Sequence, residues 1–224
     1  MALTHEQICA ALEGVEPQIG DIANRYHLRR DIDGLQCWAW RETLAHVLPY
    51  LSEGPVLDVG CGPGIFLAYL WSAGRRDLHG VDRNSALVRT AGLMLERLGA
   101  RATFQVAADL RLDLRGAQLV TALDWLYEAR VYSEKAGTPG DIRLTPALAM
   151  RRLGACLAPG GFLAFDWYVS EKRLAPGRNY LADGAGGGWR TPLEAAPAWL
   201  KPYLVMRRVF NGRDCGLYIF RRDR

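Results

Sequence analysis

One seven-residue stretch constrains this chain more than any other: Asp58-Val59-Gly60-Cys61-Gly62-Pro63-Gly64. It follows a short β-rich run, Val56 to Val59, and precedes an apolar segment, Ile65 to about Trp71, that reads as a helix closed by Gly74. Glycines between a strand and a helix let the backbone turn tightly. They also let a ligand approach the main chain without a Cβ in the way. The helix N-terminus adds unpaired N–H donors.

The pattern around this loop predicts alternating strands and helices. Leu78 to Asp82 reads as a second strand. Asn84 caps a helix with Leu87, Val88, Ala91, Met94, Leu95 and Leu98 on one face and Gly99 past its end. Thr103 to Val106 and Gln118 to Leu123 are the next strands, and Thr145-Pro146 starts a helix running to about Leu157. Pro159-Gly160-Gly161 reads as a turn before a fifth strand, Phe162 to Trp167. Such alternation implies a mostly parallel sheet covered on both faces. The end of the chain departs from it: Tyr203 to Phe210 and Gly216 to Phe220 flank Asn211-Gly212-Arg213-Asp214, a hairpin expected to leave an antiparallel edge. Upstream, Thr4-x-x-Gln7 is a capping box, and Leu35 to Leu51 carries apolar residues at helical spacing. The glycine- and proline-rich stretch from Ser170 to Leu200 reads as a lid or binding loop.

Which ligand suits the glycine loop is decided by spacing and charge. A dinucleotide site needs G-x-G-x-x-G. Here the third glycine, Gly64, comes one place early, and Asp58 lies two residues before the first. A carboxylate there would repel a pyrophosphate and suit a cationic amine. That favours an adenosyl amino acid over a nicotinamide dinucleotide. Asp82 ends the second strand, 24 positions after Asp58, where it can accept both hydroxyls of a ribose. Asp109 follows the third strand, placed to accept from an adenine amine, with the N–H of Leu110 free to donate to the ring. Each acid alone reads as a solvated loop residue. Three of them at the carboxyl ends of consecutive strands mark a ligand crevice.

Composition narrows the class. With 224 residues, half of them hydrophobic and 23% charged, the chain can bury a core without disulfides or metals. Its longest apolar run, Ile65 to Trp71, is far too short to span a membrane, and the N-terminus has no secretory pattern. The net charge is +4, and only Lys135, Lys172 and Lys201 among the 28 basic residues are lysines. The arginines are spread rather than clustered, which argues against a dedicated nucleic-acid surface. Five cysteines without a C-x-x-C pair and four histidines without ligand spacing argue against disulfides and a metal site and for the reducing cytoplasm.

From Val56 to Trp167 the sequence resembles the class I S-adenosylmethionine-dependent methyltransferases. Asp58 to Gly64 is similar to the family's first motif, Val81-Asp82 to its ribose-binding acid and Ala108-Asp109-Leu110 to its adenine-binding motif. Leu119 to Asp124 resembles the fourth strand, and Leu157 to Gly161 the turn before the fifth. The resemblance implies a Rossmann-like α/β fold: a seven-stranded, mostly parallel sheet with helices on both faces and an antiparallel terminal strand. It would be a single unit, with a helical cap over residues 1–54, a cofactor core over 55–169, a substrate loop over 170–200 and a terminal hairpin over 201–224. The cofactor implied is S-adenosyl-L-methionine, leaving as S-adenosyl-L-homocysteine. Its expected contacts are Asp58, Gly60, Gly62, Gly64, Asp82, Arg83, Asp109, Leu110, Asp124 and Trp125.

The acceptor is less legible. Asp124-Trp125-Leu126-Tyr127 stands where nucleobase-amine enzymes of the family carry Asn/Asp-Pro-Pro-Tyr/Phe, and the Pro-Cys of cytosine-C5 enzymes is absent. A small-molecule acceptor attacking through O, N or C is the expectation, with a homodimer among the open oligomeric states. Trp125, Tyr127, Trp167 and Tyr168 stand near the ends of strands four and five, where aromatic faces can attract a sulfonium. A general base is needed only if the acceptor starts protonated. Tyr26, His27, Asp124, Glu128 and Tyr180 are the candidates. Rival readings are an intramolecular cyclase releasing 5′-methylthioadenosine, a binding module without turnover, and a nicotinamide-dependent oxidoreductase.

Overall fold

The structure is a computed structural model, and it describes residues 3–13, 15, 35–107, 112–123, 146–169, 193, 196–210 and 213–224. Its elements are α1 (His5–Glu13), α2 (Leu35–Val47) with a 3₁₀ turn at Leu48–Tyr50, β1 (Val56–Val59), α3 (Ile65–Ser72), β2 (Leu78–Asp82), α4 (Ser85–Arg97), β3 (Thr103–Val106), β4 (Ala117–Ala122), α5 (Pro146–Ala155), β5 (Leu157–Val169), β6 (Leu200–Phe210) and β7 (Arg213–Arg222). The capping box closes in both directions: Thr4 N donates to Gln7 Oε1 at 2.8 Å and Gln7 N to Thr4 Oγ1 at 3.2 Å. The Asn84 side chain caps α4 by accepting from Ala86 N at 3.0 Å.

The seven strands form one sheet in the order β3-β2-β1-β4-β5-β7-β6. The first five in sequence run parallel, while β7 is antiparallel to both β5 and β6. The mixed sheet expected from the sequence is therefore present, with its antiparallel terminal strand and an edge formed by the hairpin. The antiparallel strand lies one place in from the edge, and the edge is β6. The hairpin pairs Phe210 with Arg213, which leaves a two-residue connection. That forces β6 and β7 side by side, and since β7 takes the place next to β5, β6 moves outward.

A correction concerns Pro159-Gly160-Gly161. These residues lie within β5. Ala117 pairs with Leu157 and Leu119 with Phe162, so the chain from 158 to 161 is extra against a single partner residue. The turn-forming residues are absorbed as an irregularity in a longer strand. The helix before it stops at Ala155, short of the expected Leu157, which already pairs with β4.

Both faces of the sheet are covered. On one, Val56, Leu78, Leu119, Phe162 and Ile219 pack with Ile8 of α1, Ala39 and Val47 of α2, Phe66 and Leu67 of α3, and Met94 of α4. On the other, Leu57, Val120, Leu163, Phe165 and Phe220 pack with Ala149, Met150 and Leu153 of α5. Every residue of β1 is buried, as a central parallel strand requires. Asp58 is the one charged residue in that run, and this sets up the site. No helix among the described residues is long and apolar enough to cross a membrane.

Candidate cofactor site

The loop after β1 is shaped by its glycines and by β2. Gly60, Gly62 and Gly64 all have positive φ, at 76°, 51° and 82°. The N–H groups of Gly60 and Cys61 both donate to Val81 O, at 2.7 and 3.1 Å, and Gly64 N closes the turn on Cys61 O at 2.9 Å. A Cβ at Gly64 would lie 2.9 Å from Ala91 Cβ, so glycine there lets the loop seat against α4. Gly62 is different: a Cβ there would meet nothing within 4 Å. Among the described residues, open space lies beside this peptide.

Two carboxylates stand at the ends of β1 and β2, and one of them is tied to the Gly62 peptide. Asp82, at the end of β2 and 9% exposed, accepts from Gly62 N at 3.0 Å with Oδ2 and from Asn84 N at 2.8 Å with Oδ1. It thus ties the glycine loop to the start of α4. A carboxylate has about four lone-pair sites, so two remain for a diol. Asp58, 5% exposed, pairs in register with Thr121 of β4, whose hydroxyl donates to Asp58 Oδ1 at 2.6 Å. Burial pushes the Asp58 carboxyl up from 3.8 to about 7; the Thr121 hydrogen bond works against this and the nearby Asp82 charge adds to it. Burial also pushes the Cys61 thiol well up, reinforced by the charges of Asp58 and Asp82, so Cys61 is a thiol that packs rather than a nucleophile.

The structure brings together Asp58, Gly60, Gly62, Gly64 and Asp82 of the residues expected from the sequence. Arg83 is exposed beside Asp82. Tyr26, His27, Asp109, Leu110, Asp124, Trp125, Tyr127, Glu128 and Tyr180 lie outside the described residues. Trp167 and Tyr168 belong to β5, opposite Gly216 and Cys215 of β7. Among the described residues no group of His, Cys, Asp or Glu could hold a metal ion. Sequence reasoning missed Thr121. Its signal was a hydroxyl in an otherwise apolar strand, which becomes meaningful only once β4 is known to lie beside β1.

Residues 56–132 match a family model described as a methyltransferase domain. Over this part of its length the chain is similar to a methyltransferase domain. A tRNA U34 carboxymethyltransferase of Saccharophagus degradans is 26% identical over 151 residues, which is 67% of this chain and 43% of that protein. The chain spans less than half the length of the curated relatives it matches. Among solved structures, the magnesium protoporphyrin IX methyltransferase of Synechocystis PCC 6803 with bound S-adenosylmethionine superposes with a TM-score of 0.63 at 16% identity, covering 99% of each chain. The [4+2]-cyclase SpnF does so with a TM-score of 0.59 at 15% identity, covering 84% of this chain and 81% of that one. These structures share the fold.

The cofactor of such a methyltransferase domain is S-adenosylmethionine, and the residues described here fit it. The Gly62 peptide carries no side chain and is open within 4 Å among the described residues, so a ligand can approach its backbone. Asp82 has acceptor capacity left for a ribose diol. Asp58 offers a carboxylate to a cationic amine. When bound, the cofactor supplies a methyl group on a positively charged sulfur, whose leaving thioether is neutral.

Proposed function

We propose that this chain transfers the methyl group of S-adenosylmethionine to an O, N or C nucleophile of a small molecule. The observation that carries this reading is the glycine loop held by Asp82 through Gly62 N, with the second buried carboxylate, Asp58, on the neighbouring strand β1. In this reading Gly60, Gly62 and Gly64 line the methionine part of the cofactor, Asp82 holds the ribose and Asp58 faces the α-ammonium. The buried sheet end excludes water on one side. Much of the rate then comes from holding the acceptor in line with the carbon–sulfur bond, an effect worth up to ~7–11 kcal/mol.

A second reading, transfer of the methyl group to an RNA base, is favoured by the similarity to tRNA U34 carboxymethyltransferases. The dispersed arginines speak against it. One experiment separates the readings. The protein is incubated with methyl-labelled S-adenosylmethionine and either the small-molecule fraction or the tRNA fraction of a cell extract. Label in small molecules together with S-adenosylhomocysteine is the expected result. Label in tRNA supports the second reading, and 5′-methylthioadenosine as the only nucleoside product supports a cyclase. Gly62→Val, which fills the open space at a residue of φ 51°, is expected to abolish S-adenosylhomocysteine binding measured by calorimetry. Normal binding by that variant would overturn the site.

A further inference from the structure

The Asp58 carboxylate sits among groups that oppose its charge. Burial in the sheet disfavours the ionised form, and so does the Asp82 carboxylate at the end of β2. The Cys61 thiol of the loop, coupled to both acids and held protonated, brings no positive charge. From β4, Thr121 alone among these neighbours favours the anion, donating its hydroxyl to Asp58 Oδ1 at 2.6 Å. Thr121 is fully buried and directly opposite Asp58 in the β1–β4 register, so its hydroxyl has no competing water. Its other contact, with Leu57 O, is longer, at 3.5 Å.

We propose that Thr121 is a positioning residue for the amino-acid end of the cofactor: its hydroxyl fixes the Asp58 carboxylate, in ionised form, as the acceptor of the α-ammonium group. This rests on the reading of the site given above. A neutral carboxyl at this point would lose the charge-assisted part of that contact. Since the free site holds Asp58 at about 7, docking an ammonium group beside it expels a proton below that pH. Affinity therefore falls as pH drops below about 7 and is level just above it. Without the Thr121 hydroxyl this profile moves to higher pH.

The test is calorimetric titration of the full chain with S-adenosylhomocysteine and, separately, with adenosine, between about pH 5.5 and 8.5. Thr121→Val keeps the shape and removes the donor. Thr121→Ser restores the donor. The expected result is that Thr121→Val binds S-adenosylhomocysteine about tenfold or more weakly near neutrality, as loss of a hydrogen bond to a charged group predicts. Its pH midpoint should rise by about one unit. Adenosine, which lacks the amino acid, should bind equally to parent and variant, and Thr121→Ser should recover both affinity and midpoint. Equal affinity and equal midpoint in Thr121→Val would overturn the proposal, as would an equal loss for adenosine, which marks general damage. A parent chain that binds neither ligand would instead overturn the cofactor site itself.

Discussion

The two halves of the sheet solve different problems. The parallel half, β3-β2-β1-β4, ends in a loop with left-handed glycines and two buried or nearly buried carboxylates, one of them held near neutrality. The antiparallel half, β5-β7-β6, is built on aromatic packing. Phe165 is fully buried and stacks on Tyr218 at 5.7 Å and on Phe220 at 5.8 Å, with interplanar angles of 14° and 4°. Phe162 meets Tyr203 edge-on at 5.1 Å, with the Arg221 guanidinium 5.3 Å from its ring centroid. Left-handed glycines and the paired acids Asp58 and Asp82 lie at the end of the parallel half, while stacked aromatic rings fill the other.

The largest expected effect tests the stabilising half. Phe165→Ala opens a cavity between two aromatic rings and should cost ~3–5 kcal/mol in denaturant unfolding. The folded fraction should keep its affinity for S-adenosylhomocysteine. A loss of affinity in proportion to stability would show that the halves are not separable.

Asp58→Asn tests the other half, and its sign is opposite. The folded carboxyl sits at about 7, against 3.8 for an unperturbed one. A raised value of this kind contributes stability that is complete below pH 3.8 and lost as pH climbs to 7. Asparagine undergoes no such loss and still accepts from Thr121. The variant should therefore melt higher than the parent at about pH 8, by on the order of 4 kcal/mol, with the gap closing toward about pH 4. It should also lose most of its affinity for the cofactor product. A variant less stable than its parent at the higher pH would refute the claim that this site carries a folding cost.

The smallest effect concerns the seam between loop and helix. Asn84→Ala removes the cap on Ala86 N and should cost ~1 kcal/mol. The Asn84 backbone N–H to Asp82 Oδ1 is retained, so S-adenosylhomocysteine affinity should hold. Thermal unfolding and calorimetry on one preparation check both.

The division of labour explains how much could be read from the chain alone. β1, β2 and β3 begin and end where their residue patterns place them, because glycines, Asn84 and short apolar runs are local signals. The cap at Thr4 was legible for the same reason. The β5 irregularity was not, since Pro159-Gly160-Gly161 carries turn chemistry that the pairing with β4 overrides. The place of β6 at the edge depends on which neighbour β7 chooses, a long-range matter that no window of sequence contains. In the site, Asp58, the glycines and Asp82 announce themselves by spacing. Thr121 does not, because its meaning comes from a strand 63 residues away in the chain.

Asp82 joins two peptide groups, one on each side of the crevice, through a single short side chain. Lengthening it by one carbon, to glutamate, would displace the Gly62 and Asn84 backbones together, so neither the glycine loop nor the helix start could adjust alone. The length of this one side chain therefore sets the spacing of both backbones, whether or not a ligand is bound.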